Sequence, residues 1–104
     1  MPENFELQFI GLGGEDEINK ATAETVAGKM AEKISALTSK RLKLTVHVKA
    51  SGTGGKRKKY SITSRMQSPG IFLEAKSEDW NFVVALESSL KILLSEVRKK
   101  ALSK

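Results

Sequence analysis

The sequence predicts an α+β domain in the order β-α-β-β-β-α, with a four-stranded, mainly antiparallel sheet and two helices packed on one face of it. Three observations carry the prediction. Four short stretches alternate apolar and polar residues with the two-residue period of a half-buried strand, and two longer stretches repeat apolar residues at helical spacing. Clusters of Gly, Pro and Ser separate most of them. The 104 residues, 39% hydrophobic and 29% charged, suit one globular domain over 1–104 rather than a disordered tail.

Phe5, Leu7 and Phe9 alternate with Glu6 and Gln8 as a first strand. Gly11, Gly13 and Gly14 break it, and Glu15, Asp16 and Glu17 suit the positive end of a helix starting there. Ile18, Thr22, Val26, Met30, Ile34 and Leu37 form the expected core stripe of that helix, which Gly28 weakens by about 1 kcal/mol relative to alanine. Leu42, Leu44, Val46, Val48 and Ala50 then alternate strictly with Arg41, Lys43, Thr45, His47 and Lys49, so one face is core and the other polar and cationic. A flexible turn over 51–55 and the run Lys56-Arg57-Lys58-Lys59 lead to a third strand, carrying Tyr60, Ile62, Ser64 and Met66. Ser68-Pro69-Gly70 makes a tight turn into a fourth, with Ile71, Leu73 and Ala75 on one face and Phe72, Glu74 and Lys76 on the other. Ser77 is the expected N-cap of the last helix, ahead of Glu78 and Asp79. Val83, Leu86, Leu90, Leu94, Val97 and Ala101 form its stripe, with Trp80 and Phe82 flanking its first turn and Leu93 widening the stripe. Arg98, Lys99, Lys100 and Lys104 crowd its carboxyl end, where the dipole favours cations.

Charge divides the chain. Residues 1–37 hold three basic and seven acidic side chains, a net of −4, while residues 38–104 hold fifteen and five, a net of +10. Such a basic surface attracts polyanions over about a Debye length, although excess lysine often serves solubility alone. With no cysteine there is no disulfide framework, thiolate metal site or cysteine nucleophile, which fits a reducing cytosol. The single His47 leaves no His-rich metal constellation, and no serine–carboxylate pair can be placed beside it. The amino terminus lacks the pattern of a signal peptide, and no apolar run approaches a membrane span. Catalysis is therefore the weakest reading, and no metal, cofactor or small-molecule substrate is expected.

The glycines at 11, 13 and 14 lack the lysine and hydroxyl of a phosphate-cradling loop, and the three acids behind them would repel a phosphate. A plain turn is the better reading. Lys56, Arg57, Lys58 and Lys59 could track a phosphate backbone from a loop tip, or simply keep that tip solvated. Arg41, Lys43, Lys49, Lys59 and Arg65 share the sheet face opposite the core if the alternation holds, a stronger candidate for gripping RNA by phosphate and shape. Base reading is not expected there, since Phe72 is the lone aromatic candidate. Lys91, Arg98, Lys99 and Lys100 of the last helix complete the expected RNA-binding set. Val84 and Ile92 fall outside the core stripe and either pack on the first helix or form a small contact patch.

From Leu42 to Lys100 the residues become more particular. The basic strand Leu42-Lys43-Leu44-Thr45-Val46-His47-Val48-Lys49, the strand Tyr60-Ser61-Ile62-Thr63, Phe72-Leu73-Glu74-Ala75-Lys76 and then Ser77-Glu78-Asp79-Trp80 resemble the ribosome hibernation-promoting factor and ribosome-associated inhibitor family. Trp80 stands at that family's aromatic position, and Val83, Leu90 and Leu94 match its core spacing. The resemblance implies a fold like that of double-stranded-RNA-binding domains and a cytoplasmic, monomeric short form without a dimerising extension. The implied partner is the small ribosomal subunit and its rRNA, with the channel for messenger and transfer RNA blocked. The chain departs from the family where its second helix usually carries spaced cations, for Ser89, Ile92 and Glu96 occupy the matching positions. The first helix offers Lys20, Lys29 and Lys33, a secondary footprint. The competing reading is a protein-interaction module on the same fold without ribosome binding.

Overall fold

The computed structural model describes residues 5–38, 41–52 and 58–102. The elements are β1 (Phe5–Ile10), a 3-10 turn (Leu12–Gly14), α1 (Glu17–Thr38), β2 (Leu42–Gly52), β3 (Lys58–Ser68), β4 (Ile71–Asp79) and α2 (Phe82–Leu102), so the expected order is present. The sheet runs β1-β2-β3-β4. β1 pairs parallel with β2, from Phe5 opposite Leu42 to Ile10 opposite His47, and the other two pairings are antiparallel. A parallel pair needs a crossover between its strands, and α1 supplies it.

Gly11 bends the chain out of β1 at φ 84°, and a Cβ there would overlap the carbonyl oxygen of Val48. The glycine is required by that close approach, which agrees with a plain turn. At the β3–β4 hairpin Gly70 takes φ 80° behind Pro69.

Alternation places Leu42, Leu44, Val46 and Val48 of β2, Ile62 and Met66 of β3 and Ala75 of β4 in the core, and both helices cover that face. The other face stays wet. Ala50, expected to continue the buried row, is exposed because it lies towards the turn end of the β2–β3 hairpin, opposite Tyr60.

Three local expectations are corrected. The buried face of α1 is Ala23, Ala27, Ala31 and Ile34, while Ile18 is 76% and Leu37 40% exposed. The contact face is thus turned by one residue, about 100°, from the stripe of larger side chains. Alanine lets the helix lie close to its neighbours, α2 above all, and Val26 and Met30 pack from its flank. The cap of α2 is also different. β4 continues through Ser77, paired with Ile62, to Asp79, and Asn81 is the capping residue, its Oδ1 accepting the Val84 N–H at 3.1 Å. At the start of α1, Asp16 takes the same role towards the Asn19 N–H at 2.7 Å. Finally, Lys58 is a strand residue, paired with Gly52, because the β2–β3 hairpin runs further than the alternation of large apolar residues revealed.

In α2 the buried set is Phe82, Ala85, Leu86, Ser89, Leu90, Leu93, Leu94 and Val97. Ser89, expected on the exposed face, is fully buried, and its hydroxyl meets that of Ser64 at 2.7 Å and donates to the Leu86 carbonyl at 3.1 Å. Those bonds satisfy two polar groups that would otherwise be costly to bury. The side chain of Ala101, like Lys40, Lys56, Arg57 and Lys104, lies outside the described residues.

Candidate nucleic-acid interface

Strand register decides what each cation on the open sheet face meets. Lys43 stands between Glu6 of β1 and Gln67 of β3, and Arg65 between Thr45 and Glu74. The Arg65 guanidinium closes on Glu74 through Nη2 at 2.6 Å and Nε at 3.0 Å, both to Oε2. Lys59 reaches Glu78 at 3.6 Å, and Lys76 approaches the same carboxylate at 3.8 Å. Lys49 lies opposite Ser61, and with His47, Thr63, Arg65, Glu74 and Lys76 it lines a depression of about 340 Å³. Arg41 precedes β2, exposed, its carbonyl accepting the Ser68 hydroxyl at 2.8 Å. The sheet therefore does bring Lys43, Lys49, Lys59 and Arg65 to one face, together with Lys76, but threads carboxylates among them. Phe72 is 58% exposed at the corner of this face, next to Gln67.

The helix side differs. β1 and β4 point the same way, and each leads into a helix that returns across the sheet, so α1 and α2 lie parallel and in contact. Between them is a groove of about 230 Å³, with Val26 and Met30 as apolar floor and Lys29, Lys33 and Lys91 around it. Glu87 is the carboxylate in that lining. Lys29 and Lys33 are four residues apart and so sit one above the other, about 6 Å along the axis. Arg98 falls two turns beyond Lys91 on the same side of α2 and is exposed. None of these four cations makes an ion pair among the described residues. Lys99 pairs with Glu96 at 3.6 Å, and Lys100 is exposed beside it in the last turn of α2, where both face the negative end of the dipole.

The groove gathers Lys91 of the expected set with Lys29 and Lys33, which charge counting along α1 ranked second, and Arg98 lies further along the same side of α2. Their signal was present: both share a flank with Val26 and Met30, while Glu24 and Glu32 fall on the opposite side. Lys76 was legible too, from its alternation with Glu74. Among the described residues, no group of three His, Cys, Asp or Glu is placed to hold a metal, and no helix is long and apolar enough to cross a membrane.

At the other end of the sheet, Trp80 stands 47% exposed rather than packed in the core. The Lys59 ammonium lies 5.9 Å from its ring centre, and Tyr60 packs edge-on against Phe82 with centroids 5.4 Å apart. Burial, then the Glu15 charge and hydrogen bond, raise the Tyr60 hydroxyl above its ordinary pKa.

No protein-family model matches the chain, and no curated protein sequence matches it. Solved structures do. The chain is similar to the Protein Y N-terminal domain of Thermus thermophilus, with a TM-score of 0.64 and 17% identity over 91% of this chain and 94% of that one. It is also similar to a ribosomal subunit interface protein from Coxiella burnetii, with a TM-score of 0.57 and 13% identity over 92% of this chain and 94% of that one. At these identities the likeness establishes the fold, over nearly the full length of both neighbours.

Proposed function

We propose that this chain is a ribosome-associated translation inhibitor that binds small-subunit rRNA and, seated there, blocks the channel used by messenger and transfer RNA. The observation that carries the reading is the groove between α1 and α2, where Lys29, Lys33 and Lys91 surround an apolar floor, with Arg98 exposed two turns further along α2, on a fold shared with a ribosomal subunit interface protein. Cations that are already positioned, and that need not leave an ion pair first, lose little on meeting phosphate. Such binding displaces counterions and weakens steeply with salt. The open sheet face, with Lys43 and Lys49, and the α2 end, with Lys99 and Lys100, extend the footprint. Lys56 and Arg57 add charge near the β2–β3 hairpin.

Sedimentation of ribosomes at low and high salt, with the protein followed through the gradient, tests the proposal. The expected result is co-migration with small subunits at low salt and release as salt rises. Migration only at the top of the low-salt gradient would instead favour a protein-interaction module, for which the exposed Val84 and Ile92 on α2 are the supporting feature.

A further inference from the structure

We propose that the cleft between the start of α1, the outer end of β3 and Trp80 is a binding site for a single unstacked guanine of an RNA strand. The inference rests on the RNA-binding reading above but uses none of the groove residues. The cleft holds about 480 Å³, and its lining includes Trp80, Tyr60, Glu15, Asp16, Asn19 and Lys58. That volume lies inside the range of about 300–1,000 Å³ in which small planar ligands are usually held.

Three features select the ligand. The first is the ring. Trp80 is the chain's only tryptophan and keeps nearly half its surface in solvent at the mouth of a cavity, where a base can stack on it. Lys59 approaches the ring from the open-face side of β3, held by Glu78, while alternation puts Lys58 and Tyr60 on the cleft side. The second is a fixed carboxylate wall. Asp16 Oδ1 accepts the Asn19 N–H at 2.7 Å, and Glu15 Oε1 accepts the Asn19 side-chain amide at 2.9 Å. The Tyr60 hydroxyl donates to the same carboxylate; with about four acceptor positions on an ionised carboxylate, Glu15 keeps two for further donors. Guanine is the base with two adjacent donor groups on its Watson–Crick edge, which suit a carboxylate's two oxygens. Adenine and cytosine present a single amino group there, and uracil a single ring N–H. The third is charge. The carboxylates keep a phosphate away from their own wall, and Lys58 at the other wall attracts it, so the base would face the acids and the strand's phosphate would lie towards Lys58.

The sole tryptophan supplies the readout. The full chain is titrated with short uridine-rich RNA carrying one central G, A or C, with an all-U strand as reference, and emission from Trp80 is followed. The G strand should quench saturably and bind about tenfold more tightly than the other three. Replacing that G by inosine, which lacks the 2-amino group, should abolish most of the preference in the unmodified protein. Glu15→Gln should do the same while quenching persists, and Trp80→Leu should weaken binding of labelled G strand, read by anisotropy. Equal quenching by all four strands, or an inosine strand that binds like the G strand, would overturn the proposal. Guanosine monophosphate is the free-nucleotide arm, and tighter binding of it than of the G strand would overturn the assignment to RNA. Loss of the G-dependent signal with salt-sensitive subunit binding intact sinks this site alone. A G-dependent signal without subunit binding supports the site and removes the ribosomal reading.

Discussion

On the open sheet face Arg65 is clamped by Glu74, and Lys59 and Lys76 share Glu78, whereas between the helices Lys29, Lys33 and Lys91 surround two apolar side chains with Glu87 as the carboxylate among them. Both regions look basic when cations are counted, but geometry separates them. Strand pairing sets a side chain directly across from its neighbour, roughly 5 Å away, so a cation opposite an acid is neutralised where it stands. Exposed pairs of this kind add at most about 1 kcal/mol to stability. Their larger effect is on recognition, because an incoming phosphate must compete with a carboxylate already in place. Two parallel helices instead aim their flanks into one channel, and here two of the three acids of α1, Glu24 and Glu32, are on the flank turned away, the third being Glu17 at its first turn.

The largest expected effect tests that contrast directly. Lys33→Glu with Lys91→Glu should weaken subunit binding about a hundredfold, roughly 2.7 kcal/mol, in an equilibrium measurement at fixed salt. Circular dichroism should not change, since both side chains are exposed. Binding within threefold of the parent would break the comparison in favour of the sheet.

The packing beneath the two regions differs as much as their charge. Ala27→Leu forces a larger side chain into the fully buried contact face of α1 and should cost about 2 kcal/mol, read from the urea midpoint. Gln67→Leu, exposed on the open face, should stay within about 0.5 kcal/mol. A smaller effect is expected at the buried hydroxyl pair. Ser89 already donates to the Leu86 carbonyl, so Ser64 is the donor in the bond between them. Ser89→Ala strands that donor and should cost about 1.5 kcal/mol, more than Ser64→Ala, and a double-mutant cycle should show the two substitutions coupled.

The smallest effect belongs to the open face. Lys43→Glu with Arg65→Glu should lower subunit affinity only about threefold, roughly 0.6 kcal/mol, because Arg65 brings little unpaired charge. Adding Glu74→Gln to the otherwise native chain should, conversely, strengthen binding by freeing that guanidinium. A tenfold or greater loss from the double reversal would restore the sheet face as the principal footprint.

Sequence alone determined the element order, the core rows of β2, β3 and β4, and the division between an acidic first third and a basic remainder. These rest on periodicity and on net charge, which are local or additive. Alternation also brought Lys43, Lys49, Lys59 and Arg65 to one face without any structure. Tertiary structure decided what periodicity leaves open. On α1 two stripes compete, one of large apolar residues and one of alanines, and the alanines won because they let the helix pack closely, on α2 above all. Ser89 looked like a surface position until Ser64, twenty-five residues earlier in sequence, supplied its partner. Ser77 carried a cap signature, but pairing with Ile62 kept it in the sheet and left the cap to Asn81. The same holds for the site. Which cations are neutralised depends on register, and which converge depends on how two helices lie together, so neither can be read from a list of charges.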